Sequence, residues 1–199
     1  MNSKEEKFFK SAKWFHGTTL HDWKNMCNTP INVKYNIGTS LDFGNGFYLS
    51  PNEKNTQLYA INTVKYNNIF EDDYKTPVVI EFEYVPYEDI MQGANYKYFA
   101  KYDNDFANFV FACRSNYMHE KTHPYDITGG VMTDAIPTKL MQEFIMGIRS
   151  KESVINEFMK STSKKQLCLH TQELCDKLLL RRAYIVNGEE LDINEYKKK

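Results

Sequence analysis

The segment Asp42-Phe43-Gly44-Asn45-Gly46-Phe47-Tyr48-Leu49-Ser50 carries the strongest fold signal in this 199-residue sequence. Its two glycines are typical of a turn that needs a positive φ angle, and the aromatic run after them predicts a short strand over residues 46–50. Residues 51–53, Pro-Asn-Glu, then predict a helix that runs to about Tyr66. The apolar residues that helical spacing places on one face of this helix are Leu58, Ile61 and Val64.

The rest of the chain predicts strands and helices without the regular alternation of a parallel sheet. Further strands are expected at residues 13–16, 77–85, 125–128, 166–170 and 178–186. Further helices are expected at residues 3–11, 21–27, 105–116, 137–149, 152–160 and 171–177. Two of the strands are expected to stop at the glycines that follow them, Gly17 and Gly129.

This pattern predicts an α+β fold with mainly antiparallel strands. We expect three parts: a helical extension over residues 1–13, one domain over residues 14–186, and a loose, polar tail over residues 187–199. Residues 28–45, which are rich in Asn, Gly, Thr and Asp, are expected to form a loop.

The composition indicates a globular protein, since 42% of the residues are hydrophobic and 26% are charged. The formal net charge of -1, with only four arginines among 25 basic residues, argues against nucleic-acid binding driven by charge. The N-terminal segment lacks the apolar core of a signal peptide, and no apolar run approaches the ~18 residues of a membrane span. We therefore expect a cytoplasmic protein without a membrane partner, or an effector delivered without a conventional signal peptide. The four cysteines form no CxxC pair and are expected to be buried thiols.

Three segments carry residues suited to chemistry: residues 14–18, Trp-Phe-His-Gly-Thr; residues 42–50; and residues 166–170, Gln-Leu-Cys-Leu-His. In this order they resemble the ADP-ribosyltransferase superfamily, in its diphtheria-toxin and poly(ADP-ribose) polymerase class. That class ends its first core strand with His-Gly, enters its second with Phe-Gly-x-Gly-aromatic-Tyr, and carries a small residue and a Tyr on the next helix. The matching residues here are His16, Gly17, Phe43, Gly44, Gly46, Phe47, Tyr48, Thr56 and Tyr59. The resemblance spans roughly residues 14–186 and looks closest to an uncharacterised bacterial family of that superfamily.

The resemblance implies two packed, mainly antiparallel sheets with flanking helices, and a site for NAD⁺ as a co-substrate without a metal. Nicotinamide is a flat ring with an amide, so its site needs aromatic faces and hydrogen bonds to the carboxamide. Tyr48 and Tyr59 are expected to supply the faces, with the Gly17 main chain and the Thr56 hydroxyl bonding the carboxamide. His16 is expected to donate to a hydroxyl of the adenosine ribose, although it also fits a structural histidine. The implied NAD⁺-binding residues are His16, Gly17, Thr18, Asp42, Phe43, Gly44, Tyr48, Thr56 and Tyr59, and the implied catalytic residues are His16, Tyr48 and Gln166.

Gln166 stands where the class has a catalytic Glu. A Gln can hydrogen bond a ribose hydroxyl, but it can neither take a proton nor place negative charge beside the oxocarbenium-like state of the reaction. This difference favours the transfer of a single ADP-ribose over the elongation of a poly(ADP-ribose) chain. It also leaves open a protein that binds NAD⁺ or ADP-ribose without transferring ADP-ribose. Glu173, the nearest carboxylate in the following helix, also fits a solvent-facing residue.

The sequence therefore predicts a mono-ADP-ribosyltransferase that moves ADP-ribose from NAD⁺ to a macromolecule, a protein in preference to a nucleic acid, and releases nicotinamide. By analogy it would be a bacterial toxin, effector or defence protein with an antitoxin or immunity partner. The alternatives are an NAD⁺ glycohydrolase, in which water replaces the acceptor, and an NAD⁺/ADP-ribose-binding module. Arg114 fits either a pyrophosphate contact or a solvated helix end, and no role is assigned to Asp126 or Asp134.

Residues 119–123, His-Glu-Lys-Thr-His, also match the HExxH pattern of zinc metalloproteases, in which two histidines one helical turn apart bind Zn²⁺. Pro124 follows directly and disfavours helical geometry at His123. No third ligand is evident from the sequence. A metalloprotease is therefore a remote alternative.

Overall fold

The computed structural model describes residues 1–29, 31–33, 40–65, 69–116, 118–119, 121–133, 137–160 and 162–196. The strands in these ranges are β1 Lys13–Thr19, β2 Phe47–Leu49, β3 Pro77–Glu83, β4 Tyr96–Phe99, β5 Ile127–Val131, β6 Lys165–Leu169 and β7 Leu179–Ile185. The helices are α1 Ser3–Phe9, α2 Leu20–Asn28, α3 Glu53–Lys65, α4 Asp72–Lys75, α5 Pro86–Met91, α6 Asn104–Ser115, α7 Pro137–Ile145, α8 Lys151–Phe158 and α9 Gln172–Asp176.

Two sheets form the centre of the fold. The first sheet has the order β1-β3-β7 and is antiparallel throughout. The second has the order β2-β6-β5-β4, with β4 parallel to β5 and the other neighbours antiparallel. The predicted α+β class with mainly antiparallel strands is confirmed.

Side chains from both sheets meet in one hydrophobic cluster, so the sheets pack against each other through it. Trp14 and Phe82 contribute from the first sheet, and Leu167 contributes from the second. Helix α1 adds Phe8 and Phe9, which are 7% and 0% exposed. The predicted helical extension is thus part of the core, and burial of each ring stabilises the fold by roughly 2–3 kcal/mol.

Helix α3 covers the other face of the first sheet, where Ala60 packs with Phe15 and Val79. Its buried residues recur every four positions and are Thr56, Ala60 and Val64. The predicted face was wrong at Leu58, whose side chain is 59% exposed. Small side chains at the contact let the helix approach the strand main chain closely, and apolar spacing alone does not reveal such a face.

Both strands that were predicted to stop at glycines continue through them. Strand β1 runs past Gly17 to Thr19, and β5 runs through Gly129 and Gly130 to Val131. A Cβ atom at Gly129 would lie 2.6 Å from a ring carbon of Phe8. The glycine therefore makes room for the ring and does not end the strand.

The described part of the C-terminal segment, residues 187–196, contacts the domain, where the sequence predicts a loose tail. The Leu191 N–H donates to the carbonyl of Ala183 at 2.8 Å, which brings the chain back onto β7. Tyr196 then stacks on Trp23, with ring centroids 6.2 Å apart. Leu191 and Tyr196 thus hold this polar segment against the domain.

The cysteines Cys27, Cys113, Cys168 and Cys175 are buried thiols outside any disulfide, as predicted. In the part of the chain that the structure describes, no helix has the length and apolar character needed to cross a bilayer.

Gly130→Ala should destabilise the fold severely, because Gly130 has φ +125° and an added Cβ would overlap the main chain of Phe99. Gly93→Ala is the matched control, since Gly93 has φ +106° with open space around it. We expect a loss of about 1–3 kcal/mol in the control from backbone strain alone and a clearly larger loss at Gly130. Urea unfolding measures both, and equal losses would contradict this account of β5.

Candidate functional site

The glycine-rich turn that precedes β2 is held by its main-chain oxygens. The carbonyls of residues 43–45 each accept a hydrogen bond from a side chain. The donors are His123 Nε2 at 2.9 Å to Phe43, the Tyr48 hydroxyl at 2.7 Å to Gly44, and His170 Nδ1 at 2.7 Å to Asn45. Buried carbonyls need such partners, so the turn has one defined conformation.

The two glycines of this turn are required for different reasons. Gly44 has φ +77°, a left-handed conformation that glycine adopts without strain. A Cβ atom at Gly46 would lie 2.7 Å from the Leu169 carbonyl oxygen. Phe43, beside them, is fully buried in a second hydrophobic cluster. Phe43 and Gly46 therefore have packing roles, which the motif alone does not distinguish from ligand contact.

The two histidines that hold the turn each donate from one ring nitrogen, and the partner of the other ring nitrogen is compatible with a neutral imidazole. His170 Nε2 lies 2.8 Å from the Thr128 hydroxyl, and His123 Nδ1 accepts from the Tyr125 N–H at 3.2 Å. Burial lowers the pKa of both histidines, for His170 to about 3. Sequence reasoning noticed His123 only as a possible zinc ligand.

Asp42 lies at the centre of a buried polar cluster. Its carboxylate is 4% exposed. It accepts hydrogen bonds from Thr133 N and Oγ1, both at 2.8 Å, and from Gln166 Nε2 at 2.9 Å. Arg114, only 1% exposed, forms an ion pair with the same carboxylate. Arg114 is therefore not the solvated helix end considered above, and the Asp42 oxygens are occupied by protein donors.

The edge of β1 next to the turn leaves main-chain groups available at Gly17. On the edge of β1 that faces β3, the Tyr84 N–H donates to the carbonyl of Ala12, just before the strand. On the opposite edge, Phe15 exchanges two 2.8 Å hydrogen bonds with Ser50. Main-chain direction alternates along a strand, so Gly17 points its N–H and C=O to the same side as Phe15. The bridge between Phe15 and Ser50 is antiparallel, so Gly17 lies on the side of Tyr48, but β1 and β2 belong to different sheets and do not pair there.

Gly17 also lies directly against helix α3. A Cβ atom there would be 2.9 Å from the Thr56 carbonyl oxygen and 3.2 Å from Cδ1 of Tyr59. The Thr56 hydroxyl donates to the Asn52 carbonyl at 2.9 Å. The Tyr59 side chain is 59% exposed. The structure thus brings Gly17, Thr56 and Tyr59 together, with the tyrosine ring at the surface.

His16 connects this group to the turn. Its Nδ1 lies 2.9 Å from the Tyr48 carbonyl oxygen, and its ring stacks on Phe47 at a centroid distance of 4.5 Å. A carbonyl only accepts, so Nδ1 carries the proton. Burial lowers the pKa of His16, and the neutral ring then has a lone pair at Nε2. His16 can therefore accept a hydrogen bond from a ligand hydroxyl at Nε2, the reverse of the predicted direction.

Tyr48 is partly a structural residue. Its hydroxyl accepts from the Phe43 N–H at 2.9 Å and donates to the Gly44 carbonyl. Burial raises the pKa of this hydroxyl well above its ordinary value, so it stays protonated. The ring retains some accessible surface.

The remaining predicted residues have internal partners or lie apart. The Thr18 hydroxyl donates to Asp22 at 2.9 Å. The Asp126 carboxylate accepts from the Asn95 N–H at 3.0 Å. Glu173 is 83% exposed and pairs with a lysine of its own helix, as its solvent-facing interpretation predicts. Asp134 lies outside the described residues.

The geometry of the HExxH segment does not favour a zinc site. Helix α6 ends at Ser115, before the segment begins, and both ring nitrogens of His123 have main-chain partners. Glu120 lies outside the described residues. Among the residues that the structure describes, no three His, Cys, Asp or Glu side chains form a group that could hold a metal ion.

We expect the free energy of unfolding to fall as the pH is lowered from about 7.5 to about 5. Folded His170 stays neutral because burial lowers its pKa to about 3, whereas the unfolded chain protonates it below about pH 6.5. The unfolded state then binds more protons, so stability falls by up to about 1.4 kcal/mol per pH unit, or about 2 kcal/mol at pH 5 from this residue. Urea unfolding at the two pH values measures the difference.

His170→Asn should reduce the fall in the free energy of unfolding between pH 7.5 and pH 5 by about 2 kcal/mol. The exposed His119 provides the control, and His119→Gln should leave the pH dependence unchanged. The same pH dependence in wild type and His170→Asn would show that His170 does not stay neutral in the folded protein.

Comparison with known families places the chain in a group without an assigned activity. A protein-family model described as "Protein of unknown function (DUF3990)" matches residues 24–180, which is most of the chain. The match includes Tyr48, Tyr59 and Gln166 and begins after Gly17. No curated protein matches the sequence. The chain belongs to the DUF3990 family of proteins of unknown function.

Proposed function

We propose that the chain has an ADP-ribosyltransferase-like fold and is a mono-ADP-ribosyltransferase that moves one ADP-ribose from NAD⁺ to a macromolecule. The observation that carries the proposal is that Gly17, Thr56 and Tyr59 lie against one another, while the adjacent His16 bonds the main chain of Tyr48. These residues come from three separate segments, and they are the ones to which the resemblance assigns NAD⁺. The α+β arrangement of two sheets is compatible with that fold.

The nicotinamide ring is proposed to bind at the edge of β1. The N–H and C=O of Gly17 point off this edge and can pair with the carboxamide, as a neighbouring strand would. Thr56 is 3% exposed and its hydroxyl donates to Asn52; its remaining lone pair is proposed to accept from the carboxamide N–H where α3 meets Gly17. Tyr59 supplies an exposed ring face, and the accessible surface of Tyr48 is proposed to supply the other.

The adenosine ribose is proposed to bind His16. The Tyr48 carbonyl and the stacked ring of Phe47 fix the orientation of the imidazole, so Nε2 is positioned before the ligand arrives. Pre-organisation of this kind lowers the entropic cost of binding. The rigid turn of residues 42–46 is proposed to help hold the dinucleotide in a bent shape.

The proposed reaction breaks the bond between C1 of the nicotinamide ribose and the pyridine nitrogen. The bonding electron pair leaves with nicotinamide, positive charge develops at C1, and an acceptor atom then forms the new bond there. Gln166 cannot remove a proton from that acceptor. The proposed acceptor is therefore an ionised group, such as a carboxylate side chain of a protein, which loses no proton in the step.

The biological setting is proposed by analogy with the superfamily. A toxin, effector or defence protein of bacterial origin, with an antitoxin or immunity partner, accords with a small protein of this activity. A protein acceptor is proposed in preference to a nucleic acid because the net charge of -1 offers little attraction for a polyanion.

Incubation with labelled NAD⁺ and a cell lysate tests the proposal. Transfer predicts label on macromolecules together with an equal amount of free nicotinamide. Free nicotinamide without transferred label would indicate a glycohydrolase, and saturable binding without turnover would indicate a binding module. Failure to bind NAD⁺ would contradict all three functions.

Tyr59→Ala should weaken NAD⁺ binding by roughly tenfold, because loss of a stacked ring costs about 1–3 kcal/mol. Leu58→Ala is the matched control, since Leu58 and Tyr59 are neighbours on α3 and each is 59% exposed. We expect the control to bind NAD⁺ like the wild type, and both variants to keep nearly the wild-type thermal stability. Titration calorimetry gives the affinities, and equal effects of the two variants would count against a nicotinamide site at Tyr59.

A further inference from the structure

We infer that Asp42 is a positioning residue, which orients the amide of Gln166 so that its oxygen, and not its nitrogen, faces the reacting ribose. The inference rests on the proposed function, and it goes further by explaining how a site without the usual Glu holds the sugar. The observation behind it is the buried contact between Gln166 and Asp42, two residues that are 124 positions apart in sequence.

The orientation of the amide follows from the chemistry of its partner. A carboxylate can only accept hydrogen bonds, so the group of Gln166 that lies 2.9 Å from Asp42 Oδ2 must be the N–H₂. Oxygen and nitrogen leave the amide carbon in different directions, so Oε1 points away from Asp42. Gln166 is only 8% exposed, and its strand position is fixed by pairing with Gly130. The side chain therefore presents an acceptor with a defined direction.

The charge of the cluster explains why residue 166 is an amide. Asp42 and Arg114 are 4% and 1% exposed, and they form one negative and one positive charge in a buried space. A carboxylate at position 166 would lie beside Asp42 and leave the cluster with a net negative charge. Two adjacent buried carboxylates cannot both ionise without a large cost. Gln fits this space, and an ionised Glu does not.

The proposed role for Oε1 is to accept a hydrogen bond from the hydroxyl of the nicotinamide ribose next to C1. This contact holds the sugar in the reactive pose and directs electron density of the hydroxyl oxygen towards the developing cation. No proton is transferred to Gln166. An NAD⁺ analogue without that hydroxyl should therefore bind more weakly than NAD⁺.

Gln166→Glu tests the inference, because a protonated carboxyl has the shape of the amide and can donate to Asp42. Neighbouring Asp42 raises the pKa of the introduced carboxyl above the usual value of about 4.3. Compared with the wild type at the same pH, we expect the variant to be about equally stable near pH 5 and to have a melting temperature lower by about 5 °C or more near pH 8. The exposed Gln142 provides the control, and Gln142→Glu should show no such loss.

His170 makes the stability of the wild type itself depend on pH, so each variant is compared with the wild type at the same pH. Three groups near Asp42 keep their protons in this range. Burial raises the pKa of the Cys113 thiol to about 11, and it raises the pKa values of the Tyr48 hydroxyl and the Cys168 thiol well above their usual values. A difference between Gln166→Glu and the wild type that grows from pH 5 to pH 8 therefore reports the introduced carboxyl.

A second variant keeps the test decisive if Gln166→Glu does not fold. Gln166→Leu removes the contact with Asp42 without adding charge, so we expect a loss of stability that does not change between pH 5 and pH 8. Turnover of NAD⁺ provides the functional readout: kcat of Gln166→Glu should fall as the pH rises, whereas KM should change little.

The outcomes separate this inference from the proposed function. A Gln166→Glu variant as stable as the wild type at every pH, or more active than it at pH 8, overturns the inference and leaves the proposed function standing. Failure of the wild type to bind NAD⁺ overturns both. Stability loss with rising pH, together with weaker binding of the analogue that lacks the hydroxyl, supports the inference.

Discussion

The carboxylate of Asp42 joins four parts of the fold at one buried point. Asp42 itself lies in the segment before β2. Its partner Arg114 lies in α6, Thr133 follows β5, and Gln166 lies in β6. Removing one partner of a buried ion pair leaves the other charge uncompensated, which typically costs about 3–5 kcal/mol. This contact fixes the start of the glycine-rich turn, because the turn begins at Asp42.

The rest of the site is fixed by neutral donors. Three consecutive carbonyls in the turn accept from His123, Tyr48 and His170, and the Tyr48 carbonyl in turn fixes His16. Each bond contributes little net stability, about 1 kcal/mol, but leaving any of these buried carbonyls without a partner costs more. The network therefore specifies one geometry for the turn. The proposed placement of a dinucleotide requires a defined geometry of this kind.

Local sequence patterns predicted the fold class and most helices and strands, and the resemblance to a known superfamily predicted which residues meet at Gly17. The patterns failed where contacts between residues far apart in sequence determine the structure. Asp42 and Arg114 are 72 residues apart, and no periodicity or motif links them. Glycine was interpreted as a strand end, whereas Gly17 and Gly129 lie inside strands because a helix and an aromatic ring approach the main chain there. Strand β4 was missed because it is short and is held by parallel pairing with β5, a contact that its own sequence does not encode.

The central claim is that the edge of β1 at Gly17 and the ring of Tyr59 form a binding site for the pyridine end of NAD⁺. A crystal structure of the protein soaked with nicotinamide tests this claim most directly. The account predicts a ring stacked on Tyr59, with its carboxamide paired to the N–H and C=O of Gly17. A nicotinamide bound elsewhere, or a β1 edge that stays empty in crystals saturated with nicotinamide, would contradict it.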